Sequence, residues 1–166
     1  KRAISGSSDN TLKVWDLTTG KELFTLKGHS YLVNAVAVTN DGKRAVSGSA
    51  DNSLKVWDLT TGKELFTLTS HSDSVYAVAV TADGKLAISG SSDKTIKVWN
   101  LTTRKEEFTL KGHRNSVYTV AITADGKRAI SGSDDNTLKV WDLITGKEEF
   151  TLKGHSKSVN AVAVTA

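Results

Sequence analysis

The chain has 166 residues, a length that ordinarily folds as one domain, and it contains no Cys, Pro or Met. Without Cys there is neither a disulfide framework nor a thiolate zinc site, so stability has to come from burial and hydrogen bonding. The net charge of +4 raises the question of nucleic acid, but Lys recurs at matching points (Lys13, Lys55, Lys97, Lys139), and charge spread in that way is a poor phosphate track.

No stretch approaches the apolar length of a membrane span, and no charged-then-apolar leader is present. With the absence of Cys, this favours a cytoplasmic location and no membrane contact. Lys1 in place of Met suggests processing, tag removal or excision from a longer chain. Trp falls at 15, 57, 99 and 141 and His at 29, 71, 113 and 155, both in steps of 42, so 166 residues are four units less two. A fixed period of this length signals a solenoid, propeller or array.

In chain order, Lys1-Arg2-Ala3-Ile4-Ser5-Gly6 matches Lys43-Arg44-Ala45-Val46-Ser47-Gly48, so residues 1–26 hold the second to fourth strands of a split unit. Complete units follow at 27–68, 69–110 and 111–152. In the first of these, Val33 to Thr39 is small-sided and apolar on both faces, as a buried strand near an axis requires. Asn40-Asp41-Gly42-Lys43 is a tight hairpin in which Asp-Gly supplies positive-φ positions. Arg44 to Gly48 is a second strand, and Ser49-Ala50-Asp51-Asn52 is a turn in which the Asp carboxylate bonds nearby backbone. Leu54 to Leu59 is a third strand, rich in β-branched and aromatic residues. Thr60-Thr61-Gly62-Lys63 turns the chain into a fourth, Glu64 to Leu68. Residues 153–166 repeat the first strand alone.

Four short antiparallel strands with apolar side chains on both faces cannot bury themselves; radial stacking of copies covers each face against a neighbour. Gly28-His29, the Asp-Gly turn, Ser47-Gly48-Ser49-Ala50-Asp51 and Leu54-Lys55-Val56-Trp57-Asp58 closely resemble the WD-repeat family of β-propellers, and the resemblance covers the whole chain. Two departures stand out: Trp99-Asn100 in place of Trp-Asp, and Ser70-His71 in place of Gly-His.

His, Ser and Asp in every unit spell a hydrolase triad on paper. A triad needs one activated nucleophile beside an oxyanion pocket, whereas here the same set occurs four times, always with Trp. No Cys or nearby His accompanies each His, which argues against a metal site, and no cofactor motif is present. The resemblance implies a structural hydrogen-bonded tetrad within each blade instead. The sets are His29, Ser47, Asp51, Trp57; His71, Ser89, Asp93, Trp99; His113, Ser131, Asp135, Trp141; and a split set of His155 with Ser5, Asp9, Trp15. A buried indole N–H needs an acceptor, and Asp can bond both His and its own turn.

The split set is completed only if the last strand pairs with a first-blade strand. Family members usually close with about seven or eight blades, and a four-blade ring demands a much wider wedge from the same sheet. The expectation is therefore a C2 homodimer forming an eight-bladed ring of four-stranded antiparallel blades, which also covers edges and faces that would otherwise invite aggregation.

The first two copies agree at 33 of 42 positions, so their differences are informative. Only one position carries four residue types: Tyr31, Asp73, Asn115, Lys157. Its neighbours vary too: Leu32 against Ser74, Ser116 and Ser158, and Asn34 and Asn160 against Tyr76 and Tyr118. Before the tetrad Asp stand Ser8, Ala50, Ser92 and Asp134. The resemblance places these residues on one rim, the face most used for partners, with Tyr76 and Tyr118 as anchors. The leading expectation is a non-enzymatic scaffold binding a protein partner there. A recently amplified or engineered array with no dedicated ligand, serving the study of ring assembly, accounts for the same near-identity. An enzyme is disfavoured because four identical constellations offer no unique nucleophile.

Overall fold

The computed structural model describes residues 1–165, and among them there are fifteen strands and no helix. A three-stranded sheet comprises β1 (Arg2–Gly6), β2 (Thr11–Asp16) and β3 (Glu22–Lys27). The second sheet is β4 (Val33–Val38), β5 (Arg44–Ser49), β6 (Ser53–Asp58) and β7 (Lys63–Thr69). The third is β8 (Val75–Val80), β9 (Leu86–Ser91), β10 (Thr95–Asn100) and β11 (Lys105–Lys111), and the fourth is β12 (Val117–Ile122), β13 (Arg128–Ser133), β14 (Thr137–Asp142) and β15 (Lys147–Lys153). Every pairing is antiparallel between consecutive strands.

The period-2 alternation of a strand places Leu54 and Val56 on one face of the second sheet and Ser53, Lys55 and Trp57 on the other. Each Trp face is covered by the aliphatic face of the sheet before it. Ala45, Trp57 and Leu59 pack on Leu12, Val14 and Leu26. Ala87, Trp99 and Leu101 pack on Val46, Leu54, Val56 and Leu68. Ala129, Trp141 and Leu143 pack on Ile88, Ile96, Val98 and Leu110. The core is thus three copies of one joint. A fully buried side chain of this size contributes about 1.5–3 kcal/mol relative to exposure.

The innermost strands β4, β8 and β12 each pack against the edge strand of the sheet before them, β1, β4 and β8. A Cβ on Gly48 would lie 2.6 Å from Val75 Cγ1, and one on Gly90 would lie 2.7 Å from Val117 Cγ1. Glycine is required there by close approach rather than by backbone conformation. In the β4–β5 hairpin, Gly42 has φ +66° but Asp41 keeps negative φ. The expectation that both turn residues adopt positive φ is corrected: Gly42 N–H donates to Thr39 O at 2.8 Å, and Asp41 Oδ1 accepts from Lys43 N–H at 3.0 Å, which closes the turn with one left-handed residue.

The arc does not cover its own two outer faces. Leu17 is 60% exposed where its counterpart Leu59 is 3% exposed, and Phe150 and Leu152 are 59% and 46% exposed. Residues 154–165, expected to supply one further strand, pair with no strand among the described residues, and Ala166 lies outside them. Val159 N–H nevertheless bonds Ser133 O at 3.0 Å, as Val33 N–H bonds Ser7 O at 3.0 Å. Ile96→Ala, at the centre of a joint, is expected to lower unfolding free energy by about 2–5 kcal/mol. Ile144→Ala, at a 70% exposed position, is expected to change it by less than about 0.5 kcal/mol. Denaturant midpoints at constant m-value check both.

Candidate functional site

Three of the four expected sets are assembled within the chain. In the second sheet, Trp57 Nε1–H donates to Ser47 Oγ at 2.9 Å, Ser47 Oγ lies 2.7 Å from His29 Nε2, and His29 Nδ1 lies 2.8 Å from Asp51 Oδ2. The same distances are 2.9, 2.7 and 2.7 Å for Trp99, Ser89, His71 and Asp93, and 2.8, 2.7 and 2.8 Å for Trp141, Ser131, His113 and Asp135. One proton arrangement satisfies every member: indole N–H to Ser oxygen, Ser O–H to His Nε2, and His Nδ1–H to carboxylate. Asp51 is saturated, because Oδ2 also accepts from Ser30 N–H at 3.0 Å and Oδ1 accepts from Ser53 N–H and O–H at 3.0 and 2.6 Å. The carboxylate therefore ties the loop before β4 to the turn between β5 and β6.

This hydroxyl–imidazole–carboxylate order is that of a hydrolase, but its surroundings are not. Ser47, Ser89 and Ser131 are fully buried, and each hydroxyl oxygen accepts an indole N–H. No substrate carbonyl can reach them, and both nitrogens of each His are engaged, which also leaves no lone pair for a metal. These sets frame the blades.

The fourth set stays open. Trp15 Nε1–H donates to Ser5 Oγ at 3.0 Å and Asp9 Oδ1 accepts from Thr11, but His155 is exposed and bonds neither Ser5 nor Asp9. A second repeated network escaped the sequence reading. Lys55 Nζ donates to Glu64 Oε2 at 2.9 Å and Thr67 Oγ1 at 2.8 Å, and Lys13, Lys97 and Lys139 do the same with Glu22 and Thr25, Glu106 and Thr109, and Glu148 and Thr151. These Lys residues are neutralised between strands, not displayed as surface charge. The Lys, the Glu nine residues on and the Thr twelve on recur in every copy, and that was the available signal.

Ser70 replaces a glycine within this network. A Cβ on Gly28 would lie 2.9 Å from Glu64 Oε2, and in the next copy that approach becomes a hydrogen bond, Ser70 Oγ–H to Glu106 Oε2 at 2.5 Å. Burial pushes the Glu106 carboxyl upward, but bonds from Ser70, Thr109 and Lys97 outweigh it and hold it down to about 2. The other departure, Asn100, reproduces the turn bonds of its Asp counterparts through Thr102 and Thr103 N–H.

The rim residues sit on loops whose backbone is pinned. Fully buried Ser49 donates from Oγ to Tyr31 O at 3.0 Å, Ser91 to Asp73 O at 3.0 Å, and Ser133 to Asn115 O at 3.1 Å. The carbonyl is held while the side chain of the most variable position is free to differ. Tyr31 is 63% exposed, and Leu32 is exposed beside it. Tyr76 and Tyr118 meet edge-to-face with centroids 5.4 Å apart, while Asn34 at the equivalent place donates to Val75 O at 2.9 Å. Ser92 and Ser116 lie 3.3 Å apart and Ser158 Oγ–H bonds Asp134, so these positions link neighbouring loops across a joint. Asp73 accepts from Ser74 N–H at 2.7 Å; Ser8, Lys157 and Asn160 are exposed and Ala50 is half-buried. The sixteen residues thus fall on one end of the sheets but divide into free side chains and joint contacts.

Burial, only partly offset by the Asp51 and Asp135 bonds, lowers the His29 and His113 pKa values below 6.5. For Asp135, burial acts upward, yet Thr137, the Arg114 N–H and His113 together bring it down to about 2; Asp51 and Asp93 are lowered on the same balance. A group whose pKa falls on folding binds fewer protons folded than unfolded, so its contribution is complete above the unfolded value and lost as pH falls. Thermal stability is therefore expected to decline in two steps on acidification, first below about pH 6.5 through His29 and His113 and then below about pH 3.8 through Asp51, Asp93 and Asp135. Ser47→Ala, which leaves the Trp57 N–H without an acceptor, is expected to cost about 1–3 kcal/mol in denaturant unfolding at pH 7.

The family profile described as "WD domain, G-beta repeat" matches residues 1–16, 20–58, 62–100 and 104–142. Among similar proteins, the mouse (Mus musculus) dynein assembly factor with WD repeat domains 1 is 54% identical over 37 residues, 22% of this chain and 9% of that protein. The pre-mRNA-splicing factor PRP46 of Saccharomyces cerevisiae is 57% identical over 37 residues, 22% and 8% of the two chains. The ribosome assembly protein 4 of Chaetomium thermophilum is 48% identical over 42 residues, 25% and 8%. Each alignment therefore covers less than a tenth of the relative's own length.

Proposed function

The chain belongs to the WD-repeat family, and from that premise we propose that it is a non-catalytic scaffold that binds a protein partner on the rim bearing Tyr31, Tyr76 and Tyr118. Proteins of this family generally mediate protein interactions, and the relatives are named assembly and splicing factors. The observation that carries the rim assignment is the contrast between a nearly invariant frame and the residues Tyr31, Asp73, Asn115 and Lys157, whose carbonyls are pinned in the first three copies while their side chains differ. Pinned loops present side chains at low ordering cost, as rigid binding surfaces require. Tyr76→Asn combined with Tyr118→Asn places there the residue that two other copies carry, so the fold is retained. Together with Tyr31→Ser this is expected to abolish capture of a partner in pull-down; capture that survives all three changes removes the rim assignment. The 33-of-42 identity supports a second reading, a recently amplified or engineered array without a dedicated ligand, and indifference to these changes favours it.

The same proposal includes closure by a second copy. The open Trp face with Ala3, Trp15 and Leu17 and the open aliphatic face with Val140, Phe150 and Leu152 are the two halves of the joint that recurs three times inside the chain. Residues 1–7 and 127–133 are identical, and β13 in the latter segment pairs with β12. In the register of β4 on β5, Val162 of one copy falls opposite Ser5 of the other, and His155 falls to the open Ser5–Asp9–Trp15 set. Two chains of four blades then form an eight-bladed C2 ring. Light scattering is expected to give twice the 17.8 kDa of one chain, and the mass of a single chain would falsify ring closure. In the ring, Phe150→Ala is expected to cost as much as Phe108→Ala, about 3 kcal/mol in denaturant unfolding; on an uncovered face the Phe150 change costs far less.

A further inference from the structure

At the opposite end of the sheets from the Tyr31 rim, each hairpin between an innermost strand and the next is closed in one way. Thr39 Oγ1–H donates to Asp41 Oδ1 at 2.6 Å, Thr81 to Asp83 at 2.7 Å, and Thr123 to Asp125 at 2.6 Å. Each carboxylate also caps a backbone N–H, that of Lys43, Lys85 or Lys127, at 3.0 Å. A pocket lies at each joint, and the two that neighbouring hairpins enclose are lined by equivalent positions.

Between the second and third sheets the pocket is lined by Thr39, Asn40, Asp41, Arg44, Ala82, Asp83 and Gly84, and only about 70 Å³ remains open. The Arg44 guanidinium fills the rest, with Nη2–H donating to Gly84 O at 3.0 Å. Between the third and fourth sheets the lining is Thr81, Ala82, Asp83, Leu86, Ala124, Asp125 and Gly126, and about 230 Å³ is open. Leu86 stands where Arg2, Arg44 and Arg128 stand in the other copies. Among the described residues no side chain donates to Gly126 O, and the hydrogen bonds to Asp125 all fall on Oδ1, leaving Oδ2 open. Lys85 Nζ lies 3.6 Å from Asp83 Oδ2, with both groups largely exposed, and Arg128 is turned away onto Glu149.

We propose that the pocket beside Leu86 receives a guanidinium group from outside, the arginine side chain of a protein partner. The chain itself supplies the template: the equivalent pocket one joint earlier holds a guanidinium against the equivalent carbonyl. Two carboxylates in the wall add charge complementarity, and the planar fork of arginine N–H donors suits a carbonyl and a carboxylate oxygen side by side. The Leu86 side chain offers an apolar wall to the aliphatic stem. Since the pocket lies on the other rim, this site stands or falls independently of the Tyr31 surface.

Titration of the isotope-labelled full chain with N-acetyl-arginine amide, followed by amide NMR, tests the site. Saturable shifts are expected at Ala124, Asp125 and Gly126, with none from the isosteric neutral N-acetyl-citrulline amide. Leu86→Arg introduces the residue that three other copies carry, so it folds, and it is expected to weaken the titration by at least about tenfold, the scale of one charge-assisted hydrogen bond. Asp125→Asn is expected to weaken it as well. Absence of saturable shifts, equal shifts from citrulline amide, equal affinity for N-acetyl-lysine amide, or undiminished binding to the Leu86→Arg chain would each overturn the assignment.

Discussion

A sheet that is apolar on both faces cannot be stable alone, and everything else in this molecule follows from how that constraint is met. Trp57, Trp99 and Trp141 each sit against the aliphatic face of the preceding sheet, and each is almost wholly removed from water. The joint is directional, because one face carries the indole and the other carries Val, Leu and Ile. Direction makes the stack an arc with two unlike ends, not a symmetric pile. It leaves Trp15 and Leu17 at one end and Phe150 and Leu152 at the other without cover from this chain.

Directional packing alone does not hold four strands of one sheet in register. The polar sets supply that, since an indole N–H buried in the joint has to be satisfied and Ser47 is placed to do it. Through His29 the requirement passes to Asp51, which organises two loops at one rim. Lys55, Glu64 and Thr67 perform the corresponding task toward the outer strand. No buried side-chain nitrogen or oxygen among the described residues lacks a partner, consistent with networks repeated as complete units. The chemistry of a hydrolase triad is present and inert, because burial removes access and the indole occupies the hydroxyl oxygen.

Repetition also isolates the places where the copies differ. At one rim the differences fall on exposed side chains over a fixed backbone, as at Tyr31, or on loop-to-loop contacts, as at Ser92 and Ser116. At the other rim an Arg-to-Leu difference, with an Asn-to-Ala difference beside it, changes the size and chemistry of a joint pocket. The two rims therefore vary by different means, one by what is displayed and the other by what is left unfilled.

The sequence by itself determined the period, the all-β class, the bounds of the fifteen strands within a residue or two and the membership of the three His, Ser, Asp and Trp sets that lie whole within one unit, because one alternating pattern repeated four times leaves little freedom in local structure. Only the tertiary structure decided which face of each sheet meets which neighbour, and hence that Lys55 and its counterparts are neutralised between strands rather than displayed. The same holds for Leu86: its difference from Arg44 is plain in the sequence, but it acquires meaning only once Arg44 is seen to reach Gly84 across a joint. Contacts between blades join residues about forty positions apart, and no local pattern encodes them, since they depend on how the twist of one sheet sets it against the next.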